Sequence, residues 1–200
     1  MVAATSSLVD IVGKLLAARR HMLTEQLQVD GAWRHMLTPR ADERGTLHEL
    51  FRADWELSEI PLQWNLVSTR ANTLRGVHVH FNHDDYLIVL SGAMHLGLHD
   101  VRPDSKTFGK SQLITLTAQR LQAAFVPRGV MHGFCFTEAT TYVYGLTQCW
   151  TPEDDLGCRW NDPELGLNWP VSDPVLSSRD ASAISLNELK AKLGSARTRP

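Results

Sequence analysis

Within eight residues, His78-Val79-His80-Phe81-Asn82-His83-Asp84-Asp85, the chain brings together three histidines and two aspartates. Two kinds of chemistry suit these side chains. Neutral imidazoles and a carboxylate bind divalent transition metals. A single imidazole, with an unperturbed pKa of about 6.5, can also remove a proton by itself near neutral pH. Side chains on a strand alternate, so His78 and His80 share one face while Val77 and Val79 share the other. The metal reading takes His78, His80, Asp85 and the distant His132 as ligands. The proton-transfer reading needs one histidine, an orienting carboxylate and an acid. Blander readings stand beside both: polar positions near a barrel mouth for His80 and His83, turn residues for Asp84 and Asp85, and an exposed hairpin face for His95 and His99.

The elements that hold these residues are short strands. From about Ala32 the sequence breaks into segments separated by turn signals. Residues 86–90 form a continuous apolar run ending at Ser91-Gly92, a hairpin-type turn. Residues 93–101 alternate, with Met94, Leu96 and Leu98 on one side and His95 and His99 on the other. Residues 110–116, 121–126 and 140–146 read as further strands, and Pro127–His132 leads into another. Regular short strands with little helix between them predict an antiparallel sandwich or barrel rather than βαβ units. From Trp150 onward Pro, Asp, Gly and Trp predict ordered loop. Apolar residues at helical spacing (Leu8, Ile11, Val12, Leu15, Leu16) predict a short N-terminal helix, and a last amphipathic helix is predicted over 184–193. The expected organisation is an N-terminal helical extension over 1–28, one β-domain over 29–183, and a C-terminal helix and tail over 184–200.

Composition narrows the partners. The 200 residues carry a net charge of −2 with basic residues dispersed along the chain, which gives no footprint for nucleic acid. No run reaches the length of a membrane span. Three cysteines without C-x-x-C spacing exclude a disulfide framework and a zinc knuckle, and predict a cytoplasmic protein.

Several longer segments carry a resemblance. They are DERGTLHELF (42–51), QWN (63–65), LRGVH (74–78), FGK (108–110), VPRGVMHGF (126–134), YVYGLTQCWTPEDDLGCRWNDPELGLNWP (142–170) and LSSRDA (176–181). Together they resemble the dTDP-4-dehydrorhamnose 3,5-epimerases of the cupin superfamily. The resemblance implies a mainly β fold, a cupin-type double-stranded β-helix (jelly-roll) barrel with flanking N- and C-terminal helices. It implies a metal-free site with no cofactor, which epimerises a nucleotide-linked 4-keto-6-deoxy sugar. By the same resemblance His78 is the base, Asp180 orients its imidazole, and Tyr144 delivers a proton from the opposite face of the sugar ring. Arg44 and Arg75 match pyrophosphate-binding arginines, with Arg44 reaching the site from the partner in a homodimer. Glu49, Gln63, Asn65 and Trp150 match contacts to nucleotide and phosphates. Arg179 stands where the family has a phosphate-binding lysine, and His132 beside the active site.

The sequence departs from that family within the opening cluster. His80 replaces a usual glutamine, and Asp85 stands at the position of a usual lysine, whose charge stabilises the forming enolate. Three accommodations are consistent with the residues. Asp85 pairs with His80 or His83 to make an imidazolium. Alternatively, His78, His80, Asp85 and His132 hold a divalent metal, in a metal-dependent cupin enzyme. Or the protein acts on a related sugar nucleotide, inverting one centre, or binds without catalysis.

Overall fold

The computed structural model describes residues 24–55, 57 and 59–197; the helix expected around 8–16 lies outside the described residues. The first strands are β1 (Thr24–Gln26), β2 (Trp33–Met36), β3 (Pro39–Asp42), β4 (Gly45–His48) and β5 (Gln63–Thr69). Next come β6 (Thr73–Val79), β7 (Asp85–Ser91), β8 (Ala93–Asp100), β9 (Ser111–Thr117) and β10 (Gln122–Val126). Then follow β11 (Val130–Phe136), β12 (Thr140–Leu146), the short β13 (Leu156–Gly157), and helices α1 (Ser178–Ala181) and α2 (Leu186–Arg197). No helix among the described residues is long and apolar enough to cross a membrane.

Two antiparallel sheets face each other in a jelly-roll sandwich. One has the order β1-β2-β10-β7-β12-β5 and the other β13-β6-β11-β8-β9, while β3 and β4 form a separate hairpin. Pairing begins at Thr24, opposite His35, so the first sheet starts upstream of residue 29. Period-two patterning explains the inner layer. Leu87 and Val89 from the first sheet pack against Met94, Leu96, Leu98 and Leu116 from the second, all essentially inaccessible. Burying each such side chain contributes about 2 kcal/mol, offset by the entropy of ordering the chain.

The outer faces are treated differently. Residues 158–193 wrap over the second sheet, where Val77, Val79 and Met131 pack beneath Cys158, Leu165, Leu186 and Leu189. That cover corrects the expectation for His99. It does sit opposite Met94, Leu96 and Leu98, yet it is 1% exposed, with Nδ1 2.7 Å from Ser111 Oγ. His95 is half-buried, with Nδ1 3.1 Å from Thr115 Oγ1. On the first sheet an aromatic patch of Trp33, Phe51, Trp55 and Tyr86 covers part of the outer face. Edge strand β5 and the segment before it leave Ile60, Leu62, Trp64 and Leu66 exposed.

Candidate active site

Between the sheets lies a cavity of about 610 Å³. From the second sheet, β6 presents His78, in antiparallel register with His132 on β11. The two strands come unusually close at Gly76, where φ is +110° and an added Cβ would lie 2.9 Å from Gly133 Cα and from His132 O. Only glycine combines that backbone with that approach. Gly157 on β13 lies opposite His78, and a Cβ there would lie 2.9 Å from the imidazole Cδ2. Bare backbone therefore packs against the ring and limits its rotamers.

Asp180 meets His78 from the C-terminal segment. Ser177 caps α1 by accepting from Asp180 N–H at 3.1 Å, and this turn points the carboxylate at β6. Asp180 Oδ1 then accepts from His78 Nε2 at 2.7 Å. Because a carboxylate only accepts, Nε2 holds the proton and Nδ1 the lone pair. Burial raises the Asp180 pKa, but the bonds from His78 and Ser177, with Gly76 N–H, outweigh it and hold the group below its ordinary value.

A second carboxylate, Asp155, stands 3.7 Å from His78 Nδ1 and 3.9 Å from His80 Nδ1. Arg179 clasps it with both terminal nitrogens, and Trp150 Nε1 donates to it at 3.1 Å. Burial opposes its charge, yet Arg179, with His78 and His80, pulls its pKa down to about 2. Sequence reasoning missed Asp155. It belongs to a loop without periodicity, and nothing in Pro-Glu-Asp-Asp-Leu-Gly points to a histidine some 75 residues earlier.

The first sheet supplies the facing wall. Tyr144 on β12 pairs in register with Asn65 on β5 and lines the cavity opposite His78. Burial, with Asp85 nearby, raises the Tyr144 pKa, so the phenol stays protonated at neutral pH. Gln63 and Asn65, two apart on β5, both face the cavity. Gln63 donates to Asn65 Oδ1 at 3.2 Å and accepts from Trp150 N–H at 2.9 Å, while Asn65 Nδ2 is buried without a partner among the described residues. Arg75 lines the cavity and has no carboxylate partner among the described residues, whereas Arg179 is shared with Asp155. Two expected contacts lie outside this chain's cavity. Arg44, its side chain 85% exposed at the β3–β4 turn, is chelated by Asp42. Glu49 binds Arg40 and Arg52.

The cavity floor differs from the expectations for the opening cluster. Asp85 begins β7 fully buried, 3.9 Å from His83 Nε2 and 3.8 Å from His132 Nε2. Burial, reinforced by Asp84, Asp155 and Asp154, pushes its pKa well above the carboxylate range. Burial also depresses His80, to about 4, and His83. His132 falls well below 6.5 for the same reason. No hydrogen bond joins Asp85 to His80 or His83 among the described residues, His83 Nε2 standing 3.9 Å away, and burial works against charge on all three, so the geometry does not support the imidazolium–aspartate pair. His83 is 1% exposed and is no mouth residue. Asp84, also buried, is more than a turn residue, because it accepts from Arg128 N–H at 2.8 Å and Nε at 3.0 Å. The expected metal-ligand set of His78, His80, Asp85 and His132 is not the one the geometry groups, for His78 Nδ1 stands beside Asp155 at 3.7 Å. Among the described residues the group whose ligand atoms lie within 4.8 Å of one another is His80, His83 and Asp85.

Comparison with known proteins is consistent with this geometry. The family model described as dTDP-4-dehydrorhamnose 3,5-epimerase matches residues 26–188. The chain is 33% identical over 166 residues to a dTDP-4-dehydrorhamnose 3,5-epimerase of Sinorhizobium fredii, covering 77% of this chain and 85% of that one. It is 31% identical over 170 residues to a dTDP-4-dehydro-6-deoxyglucose 3-epimerase of a Streptomyces species, covering 80% and 87% respectively. Among solved structures it is similar to the dTDP-6-deoxy-D-glucose-3,5-epimerase of Legionella pneumophila in complex with dTDP-4-keto-L-rhamnose. There the TM-score is 0.78 at 27% identity, covering 85% of this chain and 95% of that one.

Proposed function

This chain belongs to the dTDP-4-dehydrorhamnose 3,5-epimerase family, and on that premise we propose that it inverts carbon next to the ketone of a nucleotide-linked 4-keto-6-deoxy sugar. The observation that carries the reading is His78 on one sheet, held by Asp180 of α1, facing Tyr144 on the other sheet across one cavity.

The chemistry follows from what each side chain can do. His78 Nδ1 takes the proton from the carbon beside the carbonyl, and the C–H electron pair becomes the enolate. The imidazolium so formed lies between Asp180 at 2.7 Å and Asp155 at 3.7 Å, which stabilise it electrostatically. Tyr144 then gives its phenolic proton to the other face of that carbon, after which the imidazolium releases its proton to solvent and solvent returns one to the tyrosinate. Asp180 stays ionised throughout and fixes the tautomer. Arg75 and Arg179 suit the pyrophosphate, Gln63 and Asn65 offer amides to the nucleotide, and the half-exposed Trp150 offers a stacking face. His132, neutral and buried, shapes the floor.

A homodimer belongs to the same reading. Its support is the apolar stripe of Ile60, Leu62, Trp64 and Leu66 at sheet edge β5, together with the projecting β3–β4 hairpin that carries Arg44 away from its own cavity. Arg44 then reaches the partner's site. The three unpaired cysteines fit a cytoplasmic setting. In organisation, because β1 begins at Thr24, the reading starts the epimerase unit upstream of residue 29 and keeps 184–200 as a helix and tail.

The test is incubation with dTDP-4-keto-6-deoxyglucose in deuterated buffer, read by mass spectrometry and NMR. Uptake at C3, C5 or both supports the reading and counts the centres inverted, which also separates a 3-epimerase from a 3,5-epimerase. Absence of uptake together with tight dTDP binding would leave a non-catalytic binder.

A further inference from the structure

The cavity floor holds a carboxylate and histidines that the mechanism above does not use. Asp85 is 3% exposed and lines the cavity, and its carboxylate makes no hydrogen bond among the described residues, having only His83 Nε2 at 3.9 Å and His132 Nε2 at 3.8 Å. His83 Nε2 is itself buried and has no hydrogen-bond partner among the described residues. Buried polar atoms are nearly always satisfied, so an orphaned His83 Nε2 facing an unbonded carboxylate requires an explanation.

The surroundings of these rings point to one. Asp154, on the loop before β13, holds both outer nitrogens. Its carbonyl accepts from His80 Nδ1 at 3.2 Å, and its carboxylate lies 3.3 Å from His83 Nδ1. That carboxylate is anchored in turn by Phe81 N–H at 2.8 Å and Asn82 N–H at 2.9 Å. His132 follows the same pattern, its Nδ1 held by the Val130 carbonyl at 3.2 Å. Oxygen partners at Nδ1 leave the lone pairs on Nε2, the outer-sphere arrangement that fixes metal-binding imidazoles.

We propose that His80, His83 and Asp85 bind one divalent transition-metal ion at the cavity floor, with His132 beside them as a further donor. A neutral-imidazole and carboxylate set favours ions such as Zn(II), Co(II), Fe(II) or Mn(II) over Mg(II) or Ca(II). Ligand bonds of about 2.1 Å draw ligand atoms to roughly 3 Å apart, so the gaps beside Asp85 close by side-chain movement on binding. His78 is outside the set because the ligand atoms that lie within 4.8 Å of one another are those of His80, His83 and Asp85, while His78 Nδ1 stands 3.7 Å from Asp155. If the epimerase reading holds, on which this one point rests, the ion supplies positive charge on a cavity wall where no lysine lies among the described residues.

The experiment uses the intact chain without substrate, so its outcome is independent of epimerase activity. Protein freed of metal by a chelator is titrated with Co(II) and Zn(II), then gel-filtered for elemental analysis, with visible absorption and thermal melting followed alongside. One equivalent of metal, a cobalt spectrum with nitrogen and oxygen ligation, and a raised melting temperature are expected. His83→Gln and the near-isosteric Asp85→Asn should each weaken binding about 100-fold or more, while His78→Asn keeps the full equivalent. The melting curves show whether each variant is folded. Wild-type protein that retains no stoichiometric metal overturns the proposal. So does an equivalent that survives in both folded floor variants, or one that is lost with His78→Asn.

Discussion

Replacing Asp180 with asparagine isolates the carboxylate's hold on His78, because the side chain keeps its shape and loses only its charge. Asp180 Oδ1 lies 2.7 Å from His78 Nε2, and the same carboxylate accepts from Gly76 N–H. Asparagine has one accepting oxygen for these two donors. When Gly76 claims it, the amide NH2 faces Nε2, the ring proton moves to Nδ1, and the lone pair needed for proton abstraction is lost. Loss of charge assistance alone costs about 1.5 kcal/mol, or roughly tenfold in rate. Inversion of the tautomer brings the loss to about a thousand- to ten-thousand-fold, the scale of the same change in a catalytic triad. Deuterium uptake from solvent into dTDP-4-keto-6-deoxyglucose should fall by that larger factor. Calorimetric binding of dTDP should stay within about threefold, since Asp180 acts on the base and not on the nucleotide. A fall of less than about tenfold refutes the tautomer argument.

Other predictions probe separate parts of the account. Tyr144→Phe should cut inversion about 100-fold while deuterium exchange from the His78 side falls far less; equal losses would remove the tyrosine as the acid. His99 is buried, with Lys190, Asp100 and Glu164 around it, and its pKa is depressed from 6.5 to about 4 chiefly by burial. The unfolded chain therefore binds more protons between those values, so native stability is lost as pH falls from about 6.5 to 4. For His99 alone this amounts to about 2 kcal/mol at pH 5. In His99→Gln the urea-unfolding free energy should decline less from pH 7 to 5 by that amount, and an unchanged decline would contradict the burial argument. Leu66→Asp, on the exposed stripe of β5, should convert a sedimenting dimer into monomer; a wild-type protein that sediments as a monomer would remove the dimer reading.

Strand alternation in the sequence anticipated much of the scaffold. Val77 and Val79 are fully buried beneath the C-terminal wrap while His78 faces the cavity, as the period-two pattern requires. The same pattern placed His99 opposite Met94 and Leu98 but could not say whether that face is covered. Its cover comes from residues more than fifty positions away, and alternation records only which side a residue is on. Asp155 illustrates a harder case, a loop carboxylate whose approach to His78 depends entirely on the short pairing of β13 with β6. The floor of His80, His83, Asp85 and His132 looked like ligands or mouth residues in one dimension. Three-dimensional closure makes it a buried cluster and gives His78 a different partner, Asp180. The meeting of His78, Asp180 and Tyr144 was anticipated from family resemblance, because no spacing rule links positions 78, 144 and 180.

The central claim is that His78 removes the proton beside the ketone. Wild-type protein and His78→Ala, incubated side by side with dTDP-4-keto-6-deoxyglucose in deuterated buffer, test it most directly. The account predicts deuterium at the inverted carbon with wild type and none above the uncatalysed rate with the variant, while both bind dTDP. Full deuterium uptake by His78→Ala would contradict it.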